Sequence, residues 1–131
     1  LLAETSIIYE SQNYADDLPF WVLNHSQPLL IIPYNLDCND IRYCTSPGWS
    51  SAEDEFQYLK HAFDCLYREG NKTPKVMSIG LHPRISGRPA RAEALRRFID
   101  YIHQKHVWIC KRQEIAEFWL KHFPFKQELM L

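Results

Sequence analysis

The sequence predicts an α/β fold, on three observations. Short apolar runs alternate along the chain with segments of helical periodicity. The run Leu29-Leu-Ile-Ile-Pro33 is continuously apolar, as in a strand buried on both faces of a parallel sheet. The run Pro74-Lys-Val-Met-Ser-Ile-Gly-Leu81 stops at His82 and a turn cluster, Pro83 to Pro89, and helical spacing resumes at Ala90, the layout of a strand feeding a helix.

Taken in order, Thr5–Tyr9 is a short β-branched run and the first expected strand, with Leu29–Pro33 the second. Between them Ala15 to Trp21 reads as turn residues followed by large aromatics, and Asn35 to Ser50 is polar, aromatic and irregular. Loops of that size in a compact domain are often functional. Ser50 with Glu53 offers a capping box for a helix from Ser51 to Glu69, whose Phe56, Leu59, Phe63 and Leu66 form one stripe before Gly70 ends it. Val76–Leu81 is the third expected strand. Pro89 suits the first turn of a helix carrying Leu95, Phe98, Ile99 and Ile102, broken near Lys105. Val107–Cys110 reads as a fourth strand and Gln113–His122 as a last helix, giving about four strands and three helices. Such a half-sheet would leave an unpaired edge and an uncovered apolar face, so half of a larger fold is expected, its other part upstream or in another chain.

Composition narrows the function classes. The 131 residues are about one domain, and 46% hydrophobic residues with 14% aromatics supply a core. Fifteen basic against sixteen acidic residues argue against counterion-driven binding to nucleic acid or to an anionic membrane surface. No apolar run approaches the roughly 18 residues of a membrane span. The start, Leu1-Leu-Ala-Glu4, has neither a signal-peptide pattern nor an initiator methionine and reads as the middle of a longer chain. Cys38, Cys44, Cys65 and Cys110 form no C-x-x-C pair; Cys65 and Cys110 fall in apolar patterns and are expected to be buried, and a reduced, cytoplasmic setting is expected.

His82 is the candidate for chemistry. It stands at the end of a strand-like run, where α/β folds place their sites, and an imidazole there can move protons near neutral pH. The alternative is a structural histidine closing a strand. The loop Asn35–Arg42 offers Asp37, Asn39, Asp40 and Arg42 just after a buried strand, a place to grip a polar substrate, or else an Asx-rich turn closed on its own backbone. Arg84 and Arg88 could hold a carboxylate or carbonyl bidentately, or be tied to Asp40 or Glu93. Trp21 is a candidate pocket wall, and Trp49 a lid or surface residue. His103-Gln-Lys-His106 has two imidazoles at a helix end without a metal-site context, so no metal ligand is assigned in this chain.

Three blocks carry a resemblance: Tyr9-Glu-Ser-Gln-Asn-Tyr-Ala-Asp-Asp-Leu-Pro-Phe-Trp21, Pro33-Tyr-Asn-Leu-Asp-Cys-Asn-Asp-Ile-Arg-Tyr43 and Ser78-Ile-Gly-Leu-His-Pro-Arg-Ile-Ser-Gly-Arg-Pro-Ala-Arg91. From about Tyr9 to Trp119 the chain resembles the C-terminal half of the NodB-type polysaccharide deacetylase superfamily, and more narrowly its allantoinase branch. The resemblance implies that residues 1–131 are a partial domain, the C-terminal half of a distorted (β/α) barrel, hydrolysing a C–N bond of an amide, acetamide or cyclic ureide. It places His82 as general acid toward the leaving nitrogen, and the first block as the supplier of its orienting carboxylate, among Glu10, Asp16 and Asp17, and of an aromatic wall. The superfamily's base aspartate, metal aspartate and H-x-x-x-H pair belong to an N-terminal half that this sequence does not carry; zinc would enter through that half alone. The expected partners are a small-molecule ureide or an N-acetylated sugar and, for an open half-barrel, a second copy or the other half. The competing readings are a sugar N-deacetylase acting on chitin oligomers or peptidoglycan, and a truncated, non-catalytic interaction subunit.

Overall fold

A computed structural model describes residues 7–24 and 27–126. The chain divides into two compact units, one from Leu1–Tyr34 with Ile109–Leu131, the other Asn35–Trp108.

In the first unit, β1 (Phe20–Asn24) and β2 (Gln27–Ile31) pair antiparallel, Phe20 opposite Ile31 and Asn24 opposite Gln27. The expected strand at Leu29–Pro33 is thus present but shifted toward its start, and its neighbour is a hairpin strand where a parallel one was expected. Of the expected strand Thr5–Tyr9, Thr5 and Ser6 lie outside the described residues; the chain after it makes a single parallel bridge, Glu10 N–H donating to Leu30 O at 3.0 Å and Ile32 N–H to Glu10 O at 2.9 Å. A helix, Arg112–His122, packs on this hairpin, with Leu30, Ile32 and Ala116 fully buried among Tyr9, Trp21, Ile115 and Trp119. The half-buried Arg112 of that helix donates to Ile32 O, to Pro33 O at 2.8 Å and to Ser11 Oγ at 3.0 Å, so the carbonyls that follow β2 are satisfied away from water.

The second unit is built on helices. A 3₁₀ turn, Asp40–Cys44, is capped by Asn39, whose Oδ1 accepts from Ile41 N–H at 2.8 Å. Helix α1 (Ala52–Glu69) follows, then a one-turn helix α2 (Pro83–Ser86) and helix α3 (Pro89–His103); the helix of the first unit is α4. The capping box of α1 lies one residue later than the Ser50–Glu53 pair expected: Asp54 N–H donates to Ser51 Oγ at 3.1 Å, and Ser51 N–H to Asp54 Oδ2 at 2.9 Å. Adjacent serines face a run of three acids here, so either spacing fits the sequence, and Asp54 also accepts from Ser50 Oγ at 2.6 Å.

Phe63 and Phe98 lock α1 against α3 edge to face, with centroids 6.1 Å apart, and Leu59, Trp49 and Cys38 complete the core. Trp49 is 6% exposed, which places it in that core and not in a lid or on the surface. Cys65 is also corrected: it is exposed and its thiol points to Glu69, while Cys38 is the buried cysteine, its thiol pushed up to about 11 by burial and by Asp37.

Two expected strands are not present. Val76–Leu81 contributes only the bridge of Gly80 to Asn39, with Asp40 N–H donating to Gly80 O at 3.0 Å and Gly80 N–H to Cys38 O at 2.9 Å. Val107–Cys110 carries no strand, and Trp108 and Ile109 are more than half exposed. Apolar, β-branched composition fits a residue to a pleated surface, but a strand exists only where a neighbour offers a ladder.

Candidate active site

His82 begins a tight turn that its own backbone closes. Its carbonyl accepts from Ile85 N–H at 2.8 Å and Ser86 N–H at 3.0 Å, and Pro83 in the first turn of α2 has no N–H to lose. That turn returns Ser86 toward Asp40. Asp40, at the start of the 3₁₀ turn, is completely buried, and both of its oxygens are used. Oδ1 lies 2.6 Å from His82 Nδ1; Oδ2 accepts from His82 N–H at 2.7 Å and from Ser86 Oγ at 2.6 Å. Burial alone would raise the Asp40 carboxyl, but the bonds from Ser86 and His82 outweigh it and hold the group below its usual range.

The imidazole itself is half exposed, while its partner is sealed from water. With Nδ1 held by a carboxylate, Nε2 is the ring nitrogen left for another partner. The carboxylate expected to pair with His82 is one among Glu10, Asp16 and Asp17; the structure puts Asp40, which the sequence groups with substrate contacts, against the ring instead. Asp16 and Asp17 belong to the first unit, where Asp16 Oδ1 accepts from the Asp17 and Leu18 backbone N–H groups in a turn. Ser86 escaped the sequence reading, although Pro83 at a helix start signals a turn that returns the fourth residue toward the first.

The other expected residues fall around this pair or away from it. Asn39 is buried as the cap of the 3₁₀ turn. Asp37 accepts from Tyr58 O–H at 2.5 Å and lies 3.7 Å from the Arg42 guanidinium, which in turn sits 4.5 Å from the Tyr58 ring. Arg84, in α2, and Arg88, capping α3, are exposed on the turn that follows His82. Neither expected salt link forms: Asp40 is taken up by His82 and Ser86, and Glu93 by Arg96 at 2.6 Å. Trp21, in the first unit, donates from Nε1 to Phe123 O at 2.8 Å and lines a cleft of about 500 Å³ with Phe20, Trp119, Phe123 and Phe125.

These residues do not fit a metal ion. His82 has one ring nitrogen uncommitted, both Asp40 oxygens are spent on hydrogen bonds, and no three His, Cys, Asp or Glu side chains converge among the described residues.

The chain matches no protein-family model. It is 45% identical to PuuE allantoinase, with a TM-score of 0.91 over 95% of this chain and 42% of that one. A crystal structure titled as a polysaccharide deacetylase, from Pseudomonas aeruginosa PAO1, is 47% identical with a TM-score of 0.90, over 95% of this chain and 43% of its own. The chain is similar over nearly its whole length to members of the polysaccharide deacetylase superfamily. A Schizosaccharomyces pombe protein named for the same activity is 40% identical, over 90% of this chain and 40% of its own length. The chain therefore spans about two fifths of the relatives it matches, and its mixed helix-and-strand structure is of the polysaccharide deacetylase type. No helix among the described residues is long and apolar enough to cross a membrane.

Proposed function

We propose that this chain is the acid-bearing part of a hydrolase that cleaves a non-peptide C–N bond, with a cyclic ureide of the allantoin type as substrate. The observation that carries the reading is the half-exposed His82 imidazole fixed through Nδ1 by the buried Asp40. A nitrogen leaves a tetrahedral intermediate poorly as an anion; protonated as the C–N bond breaks, it leaves as a neutral amine. His82 gives that proton from Nε2, and the Nδ1–H bond to Asp40 stabilises the imidazolium that precedes transfer. Activation of water, and any zinc that assists it, belong in this reading to sequence outside this chain, which also completes the (β/α) barrel. Arg84 and Arg88, exposed beside His82, suit the carbonyls and carboxylate of a ureide and of its ring-opened product.

A sugar N-deacetylase is the second reading, and the deacetylase names of the Pseudomonas and Schizosaccharomyces relatives favour it. The same acid serves both reactions, since an acetamide nitrogen also leaves as an amine. The experiment uses the complete protein on two substrates: allantoin, followed by appearance of a ring-opened carboxylate, and N-acetylglucosamine oligomers, followed by acetate release. Turnover of allantoin supports the ureide reading, acetate release alone replaces it with the deacetylase, and turnover of neither overturns both.

A further inference from the structure

Behind the Asp40–His82 pair lies a second set of contacts that the proton-transfer reading does not use. Arg91, in the first turn of α3, reaches back from Nη1 to Ile85 O at 3.3 Å. Ile85 O lies in the last turn of α2, where a one-turn helix leaves carbonyls without intrahelical partners, and a cation suits that end. The same guanidinium lies 4.2 Å from the Tyr43 ring centroid. Tyr43 belongs to the 3₁₀ turn that begins with Asp40, and its hydroxyl donates to Glu55 Oε2 at 2.8 Å, with Ser51 O at 3.2 Å. Glu55 is completely buried near the start of α1. Each half of the site thus has a tether of its own: Arg91 holds the turn that carries Ser86 and the His82 backbone, Tyr43 and Glu55 hold the turn that carries Asp40, and the cation–π contact joins the two.

We propose that Arg91, through its contacts with Ile85 O and Tyr43, is a positioning residue that fixes α2 against the Asp40 turn and so keeps the His82 Nδ1–H directed at Asp40. The distances leave little slack. A carboxylate that takes three bonds of 2.6 to 2.7 Å, two from His82 at the cap of α2 and one from Ser86 at its end, loses all three if that turn moves by an ångström. Arg91 is partly exposed and outside the apolar core, so its replacement spares the packing of Phe98 and Leu59. Lysine keeps the charge and can still reach a carbonyl, whereas alanine removes both contacts.

The kinetic arm of the test rests on the general-acid reading above; the spectroscopic arm does not. In the complete protein, the tautomer ratio of the neutral His82 ring is read from long-range ¹H–¹⁵N correlations in wild type, Arg91→Ala, Arg91→Lys and Tyr43→Phe. The expected result is a wild-type ring with the proton on Nδ1, a fall of about fivefold in the Nδ1–H to Nε2–H ratio in Arg91→Ala, the worth of one modest hydrogen bond, and recovery in Arg91→Lys. Tyr43→Phe keeps the ring under the guanidinium and loses the hydroxyl's contacts with Glu55 and Ser51 O, so it gives a smaller fall and carries the test if the alanine variant does not fold. An unchanged ratio in folded Arg91→Ala, or in Tyr43→Phe where the alanine variant is lost, overturns the inference. Turnover supports it further by falling in Arg91→Ala with KM unchanged. A changed ratio alongside full activity in a His82 variant would overturn the general-acid reading and leave the positioning role standing.

Discussion

Asp40 holds His82 at two points, the ring nitrogen Nδ1 through Oδ1 at 2.6 Å and the backbone N–H through Oδ2 at 2.7 Å. The second contact makes the first selective. With the backbone pinned, the ring keeps only its two side-chain rotations, and the carboxylate holds the proton of the neutral ring on Nδ1 and leaves Nε2 on the side away from Asp40. Replacement by asparagine keeps the shape and removes the charge, so Asp40→Asn is expected to lower turnover of the complete protein by about 10²- to 10⁴-fold, the range of general-acid catalysis, with KM little changed. Steady-state kinetics alongside circular dichroism checks it; a variant with wild-type turnover would detach Asp40 from the chemistry.

Gly48 is needed for the turn that follows Asp40. A Cβ there would stand 1.8 Å from Arg42 O and 2.3 Å from Thr45 O, both backbone atoms, while Trp49 N–H donates to the same Arg42 carbonyl at 3.0 Å. Gly48→Ala is therefore expected to destabilise the second unit by about 1–3 kcal/mol, as overpacking does, and urea denaturation measures it. An unchanged midpoint would mean that this turn has room the structure does not show.

Much of this was legible in the sequence, for local reasons. Helices α1, α3 and α4 follow from periodicity, Gly70 and Pro89, and His82 stands out because an apolar run ends on it. The His82–Asp40 contact did not, because it joins residues 42 apart in sequence and nothing local distinguishes Asp40 from Asp37 or Asp16. Strand β1 was missed because the sequence from Phe20 to Ile31 has no Asn-Gly or Asp-Gly pair to mark a tight hairpin, and because Pro28, opposite Leu23, argues against a ladder except at an edge. The strands expected at Val76 and Val107 show the converse: their composition is right, and among the described residues no neighbouring strand builds a ladder on either.

Glu55 gives a pH dependence of known sign. Burial pushes its carboxyl up, the Tyr43 hydroxyl and Arg91 oppose that shift, and the nearby Asp40 charge adds to it. A carboxyl raised in the folded state binds more protons there than in the unfolded chain, so its contribution to stability falls as pH rises from about 4.3, the unfolded value, through the folded one. Glu55→Gln removes that titration and keeps an acceptor for Tyr43. The stability difference between Glu55→Gln and wild type, followed by urea denaturation from acid to neutral pH, is expected to move in favour of the variant as pH rises; a constant difference would contradict it.

The central claim is that His82 delivers a proton to the leaving nitrogen. The direct measurement is the loss of kcat on replacing His82 by glutamine in the complete protein, compared between the amide or ureide substrate and an analogue whose leaving group departs without protonation. The account predicts a loss of about a hundredfold or more on the first substrate, the usual worth of a general acid, and little or none on the second. Equal losses on both, or none on the first, would contradict it.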